Sequence, residues 1–357
     1  MPAIVIEGLA LDDVLLMPQH STASSRFDPA QISLSTKLTP TLSLELPIIT
    51  SNMDTVTNSA VAIEANKVGA LGIVHRFQEP EEHKLELQRM FEIPKVACIG
   101  VGESSKRRLE TLLKTTEGSR DTVHVQDVLV DIAHGDSIVM VEMIRWIRTQ
   151  YPDLNIIAGN VATGSGAKRL AEAGANCIKV GVGPGSVCTT RINTGCGVPQ
   201  FTAICEVADV LYYHNRNCEI EPVTMIADGG IKNSGDIAKC LAAGANAVMV
   251  GSLIAGAFET PGERFVGRDG IQYKLYRGMA SQAAQKSWKG TVTSVEGEST
   301  SVPLKPPVRE ILSYLESGIR SAMSYQGART LAELQDGPVF YKQTSNGLRE
   351  SQAHGIR

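Results

Sequence analysis

The sequence predicts an α/β protein built as a closed (β/α)8 TIM barrel, and three observations lead there. Short apolar runs recur eight times, each is apolar throughout rather than alternating, and amphipathic stretches fill the intervals between them. A strand that is apolar at every position is buried on both faces, which calls for parallel strands covered by helices. Eight such units within roughly two hundred residues fit a closed barrel. A doubly wound open sheet is the alternative, but no GxGxxG opens the first helix.

The strands are expected at PIITSNM (47 to 53), LGIVHR (71 to 76), VACIGVG (96 to 102), VLVDIA (128 to 133), NIIAGNV (155 to 161), CIKVGVG (177 to 183), TMIADGG (224 to 230) and AVMVGSL (247 to 253). Helical spacing is clearest over 137 to 150. There Met140, Met143, Ile144 and Ile147 fall at i, i+3, i+4 and i+7, while Arg145 and Arg148 face away. The stretch 164 to 174 repeats the device with Ala167, Leu170 and Ala171. After Val308 the chain reads as an amphipathic helix, a glycine-bearing turn and another helix. We expect residues 1–357 to form one catalytic barrel domain with a flap at about 279–305, a C-terminal extension and no inserted regulatory module.

Composition removes several function classes. A net charge of −4 and no concentrated basic stripe argue against a nucleic-acid surface. The seven cysteines are odd in number and scattered, without a CxxC pair or zinc spacing, which suits a reduced cytoplasmic chain. MPAIVIEGLALDD lacks the basic and apolar regions of a signal peptide, and ANAVMVGSLIAGAF is too short to span a membrane.

Polar residues gather where the strands end. Asn52 and Asp54 follow the first, His75 the second, Asp131 the fourth, Asn160 the fifth, Cys188 the sixth, Asp228 the seventh and Ser252 the eighth. In a closed barrel those ends share one face, where active sites lie. The loops after strands seven and eight often bind phosphate through backbone N–H groups, and here they offer Gly229, Gly230, Gly251 and Ser252, with Ser186 as an extra donor. A phosphorylated small molecule follows, unless these glycines only turn the chain. After strand six, GVGPGSVCTTR sets Cys188 in a GxGxxC loop whose backbone can point amides one way and carbonyls the other. Amides near a sulfur favour the thiolate, the reactive form of cysteine.

GVGPGSVCTTR, LDDVLLMP, SNMDTVT (51 to 57), AGNVAT (158 to 163), ADGG, VGSL and YRGMAS (276 to 281) together resemble the IMP dehydrogenase/GMP reductase family, in the right order over nearly the whole chain. The resemblance implies that Cys188 attacks C2 of a purine nucleotide and that Thr190 takes part in proton transfer. It implies that Ser186, Asp228, Gly230, Gly251, Ser252 and Tyr276 hold ribose and phosphate, and that Gly278, Met279 and Ala280 read the base edge. Asp131 and Asn160 fall on the nicotinamide cofactor side. Gly183, Gly185 and Cys188 match carbonyls that bind potassium in the dehydrogenases. A cytoplasmic homotetramer is expected by the same analogy.

The two activities part at the flap. The dehydrogenases hydrolyse the covalent adduct with an Arg-Tyr pair, and from Gly278 to Val308 this chain has neither an arginine nor a tyrosine. Glu296 matches the reductase glutamate that works with the threonine. The closer resemblance is therefore to GMP reductase, with GMP as substrate and NADPH as hydride donor. An IMP dehydrogenase using NAD, with a shortened flap in which Lys286 or Lys289 activates water, is the alternative. Thr293 stands where the reductases carry an arginine, Ala280, Ser281 and Gln282 stand where many carry Ser-Ser-Glu, and the tail NGLRESQAH is closer to a dehydrogenase ending. A binding barrel without catalysis and a flavin-dependent barrel are more distant readings.

Overall fold

The computed structural model describes residues 3–26, 28, 31–114, 124–217 and 221–353. Eight parallel strands curl into one sheet: β1 (Ile48–Thr50), β2 (Leu71–Gly72), β3 (Val96–Ile99), β4 (Asp127–Asp131), β5 (Asn155–Val161), β6 (Cys177–Val180), β7 (Thr224–Asp228) and β8 (Ala247–Val250). Hydrogen-bonded neighbours run β2-β1-β8-β7-β6-β5-β4-β3, so consecutive strands lie side by side and β8 returns to β1. This is the (β/α)8 barrel the sequence predicts. Except for β5, which matches its run, the strands are shorter than the apolar runs, and most of the polar residues expected at their ends sit in the turns beyond.

The helices are α1 (Ser59–Asn66), α2 (Pro80–Arg89), α3 (Glu103–Leu113), α4 (Ile138–Gln150), α5 (Gly164–Ala173), α6 (Gln200–Asn217), α7 (Ser234–Ala242) and α8 (Val308–Tyr325). The eighth packs on both α7 and α1 and so closes the outer ring. Met140, Met143, Ile144 and Ile147 of α4 are buried as their spacing requires. Arg148 departs from expectation. Instead of facing away, its guanidinium donates to the Gly174 and Leu154 carbonyls, tying α4 to the turns that precede β6 and β5.

Alternation along each strand divides the core in two. Ile48, Ala97, Ile99, Val128, Val130, Ile156, Ile178 and Val248 face the helices. Ile49, Val96, Cys98, Leu129, Ile157, Cys177, Ile226 and Met249 fill the barrel, whose lower end is plugged by Leu38, Leu42 and Leu44 of an N-terminal hairpin. The period of two then carries the inward line onward from Leu129 to Asp131, from Cys177 to Lys179 and from Ile226 to Asp228. Three charged groups thereby share the top of the barrel.

Between β8 and α8 the chain makes the flap. Strands Arg264–Val266, Gln272–Arg277 and Ser299–Pro303 form an antiparallel sheet, and a helix, Gln282–Lys289, lies inside the last connection. Strand Phe340–Lys342 pairs with Val14–Leu16, joining the two ends of the chain. Among the described residues no helix is long and apolar enough to cross a membrane.

Candidate active site

A cavity of about 430 Å³ opens at the C-terminal ends of the strands. Its lining includes Cys188, Thr190, Glu296, Ser186, Asp228, Gly229, Gly230, Gly251, Ser252, Tyr276, Gly278, Met279, Ala280, Asp131 and Asn160. The sequence-predicted residues thus converge on one space, except Gly183, which lies just outside it.

The loop after β6 is built around an arginine. Gly183 adopts φ +82°, and a Cβ there would lie 2.6 Å from Arg191 Cγ. The Arg191 guanidinium in turn donates to the carbonyls of Val182 and Val198, crossing the loop from within. The Gly185 carbonyl, one of the three expected to face potassium, already accepts the Cys188 amide at 3.1 Å. A cation there would share that oxygen. The three carbonyls are in addition too few to fill a potassium shell by themselves.

Cys188 donates to Thr190 Oγ1 at 3.2 Å, and Thr190 donates to Glu296 Oε2 at 2.8 Å. The flap delivers the glutamate by pairing its backbone on the loop. The Thr189 amide donates to the Glu296 carbonyl, the Glu298 amide to the Val187 carbonyl, and the Glu296 amide to the Ala280 carbonyl. Thiol, hydroxyl and carboxylate thus form one hydrogen-bonded chain, an arrangement that suits proton relay.

On the side where phosphate is expected, Gly229 (φ +96°) and Gly230 (φ +78°) turn the chain after β7, with Gly229 against Pro184. The Ser186 hydroxyl lies 3.0 Å from the buried Tyr276 hydroxyl, and burial raises that phenol's pKa. Gly251 lies beside this hydroxyl, with Ser51 and Met53 also against it. Lys305 donates to the Ser252 and Leu253 carbonyls, which fixes the loop after β8.

On the other side, Asp131 accepts from Lys179 at 2.9 Å and from Asn52 at 2.9 Å. Burial would raise its pKa, but Lys179, Arg76 and the Asn52 bond outweigh that and hold it below the usual carboxylate range. Asn160 donates to Asp228 Oδ2 at 2.9 Å, and its own Oδ1 is buried with no partner among the described residues. Arg76 Nε and Trp288 Nε1 are likewise buried without partners. Phe77 packs edge-on against Trp288 at 5.1 Å, and Arg76 lies over Phe77 at 4.6 Å. Unsatisfied donors, an unsatisfied amide oxygen and two aromatic faces suit a flat, amide-bearing, anionic group such as a nicotinamide nucleotide.

Sequence reasoning missed Lys179, Arg76, Phe77, Gln285, Trp288 and Arg277. Gln285 donates to the Ala280 and Ser294 carbonyls and accepts from the Thr293 amide, which shapes the segment carrying Glu296. Arg277 grips Asp54 through two nitrogens, anchoring the YRGMAS segment to the turn after β1. Lys289 reaches the cavity rim, with Nζ over Trp288, whereas Lys286 does not line the cavity.

Fold and site define a barrel with a thiol, a hydroxyl and a carboxylate gathered in one cavity at the C-terminal ends of its strands. The IMP dehydrogenase / GMP reductase domain model matches residues 8–354. An inosine-5′-monophosphate dehydrogenase from Borreliella burgdorferi is 34% identical over 412 aligned residues, covering 99% of this chain and 98% of that protein. A relative of the same name from Halalkalibacterium halodurans is 35% identical over 481 aligned residues, covering 98% of this chain and 96% of its own. Among solved structures, a GMP reductase variant from Trypanosoma brucei in complex with guanosine 5′-monophosphate superposes with a TM-score of 0.90 at 27% identity, covering 99% of each chain. The chain belongs to the IMP dehydrogenase / GMP reductase family, oxidoreductases of purine metabolism that use a nicotinamide cofactor.

Proposed function

We propose that this protein is a GMP reductase, converting GMP, NADPH and two protons to IMP, ammonium and NADP⁺. The observation that carries the reading is the Cys188–Thr190–Glu296 chain, closed by a flap with neither arginine nor tyrosine between Gly278 and Val308. The T. brucei neighbour, solved with GMP, supports the substrate.

In this reading Cys188 Sγ adds to C2 of the guanine ring. Glu296 passes a proton through Thr190 Oγ1 to the exocyclic amine, which leaves as ammonia while a C2–S thioimidate remains. When bound, the nicotinamide cofactor supplies the hydride that reduces C2. Breaking the C–S bond then returns the thiol and releases IMP. Ser186, Gly229, Gly230, Gly251, Ser252 and Tyr276 hold phosphate and ribose, Asp228 accepts from the ribose hydroxyls, and the segment Gly278 to Ala280 meets the base. Asn160, whose Oδ1 has no partner among the described residues, and Asp131 would hold the amide-bearing end of the cofactor.

The names of the sequence relatives favour a second reading, an IMP dehydrogenase with a shortened flap in which Lys289 at the cavity rim activates water. Product analysis separates the two. Incubation with GMP and NADPH yields IMP and ammonia in equal amounts if the reductase reading holds. Formation of XMP from IMP and NAD⁺, with GMP untouched, would replace it with the second.

A further inference from the structure

Lysine is costly to bury, yet Lys179 lies in the middle of the wholly buried strand β6 and is only 3% exposed. Its Nζ is 2.9 Å from Asp131 Oδ1 on β4 and 2.6 Å from Asp228 Oδ2 on β7. Burial works against the ammonium, but the two carboxylates more than reverse this and raise its pKa above the ordinary lysine range. The groups facing this cluster are Asn52 beyond β1, Arg76 beyond β2, Cys98 on β3 and Asn160 on β5. Arg76 is the one further full charge among them, and it acts on Asp131.

Two half-buried carboxylates within reach of a single ammonium would, without it, repel each other and share a proton. A shared proton leaves one good acceptor where two ligands each need one. We propose that Lys179 is a positioning residue that allows nucleotide and cofactor to bind together, by holding Asp228 for the ribose and Asp131 for the cofactor at the same time. This rests on the proposed roles of Asp228 and Asp131. Asp228 Oδ1 makes no side-chain hydrogen bond among the described residues, so the carboxylate is held through Oδ2 while its other oxygen stays open to the cavity.

Calorimetric titration of the full chain tests it, with GMP and NADP⁺ each added alone and in the presence of the other between pH 6 and 9. After correction for ionisation of the GMP phosphate, the GMP affinity of the wild type is flat with pH and unaffected by NADP⁺. In Lys179→Met it falls about tenfold at pH 6 and recovers as pH rises and the shared proton leaves. The two ligands then weaken each other about fivefold. Lys179→Arg keeps the wild-type pattern. A folded Lys179→Met that binds as the wild type at every pH overturns the proposal. If that variant does not fold, the double variant Lys179→Met, Asp131→Asn decides. GMP binding close to wild type and flat with pH supports the proposal, and lost binding in a folded protein overturns it. Asp228→Asn separates the two levels: GMP affinity unchanged there removes the ribose role of Asp228, whereas affinity lost there and unchanged in Lys179→Met removes only the coupling.

Discussion

Thr190 Oγ1 lies 2.8 Å from Glu296 Oε2, although 106 positions separate the two residues. Ser294 holds the other carboxylate oxygen at 3.3 Å, so the flap presents the carboxylate in a fixed orientation. Replacing Glu296 with Gln keeps a group of the same shape but removes its ability to give and take a proton. Steady-state kinetics should show kcat lower by about 10²- to 10³-fold, with nucleotide affinity by calorimetry nearly unchanged. An unchanged kcat would remove Glu296 from the proton path.

Cysteine reactivity gives an independent check. Burial pushes the Cys98 and Cys177 thiols up to about 12, which makes them poor nucleophiles at neutral pH. Cys188 opens into the cavity and Cys196 is exposed. Peptide mapping after brief iodoacetamide treatment should find both alkylated, with GMP protecting Cys188 and leaving Cys196 unaffected. Cys188→Ala should abolish turnover and still bind GMP.

Gly183→Ala tests the loop scaffold. The substitution forces an unfavourable positive φ and drives a methyl into Arg191, whose guanidinium holds the carbonyls of Val182 and Val198. Displacing Arg191 moves the segment that carries Cys188. A shift of about 1 Å in a catalytic group costs on the order of 100-fold in rate. That loss, with a melting temperature lower by only a few degrees, is the expected outcome in parallel kinetic and calorimetric runs.

His83 makes the stability pH-dependent. It is wholly buried in α2, both ring nitrogens lack partners among the described residues, and burial followed by Arg108 and His75 lowers its pKa to about 3. The unfolded chain takes up a proton near 6.5 while the folded chain does not. The contribution is therefore complete above that pH and is lost as pH falls from 6.5 toward 3. Between pH 7 and 5 this one group removes about 2 kcal/mol. Urea unfolding at the two pH values should show that loss in the wild type and a flatter dependence in His83→Leu.

Much of this was legible in the sequence, because buried parallel strands leave continuous apolar runs and the helices a plain 3.6 period. Cys188, Thr190 and Glu296 were legible through motifs. Lys179 was not. It reads as part of the apolar run CIKVGVG, although an ammonium between apolar residues in a doubly buried strand calls for carboxylates on other strands of the barrel. Asp131 and Asp228 stood there. Arg76, Phe77 and Trp288 were hidden for another reason: the first two follow β2, the third rides the flap helix, and only the closed fold brings them together. The flap sheet escaped notice because its strands are largely exposed and carry no continuous apolar run.

The most direct test is absorbance at 340 nm with the purified protein, once with GMP and NADPH and once with IMP and NAD⁺. Absorbance that falls with GMP, with ammonium appearing in step and no change in the IMP reaction, is the predicted result. A rise with IMP and NAD⁺, and none of the first reaction, would contradict the reductase assignment and direct attention to Lys289 as the group that activates water.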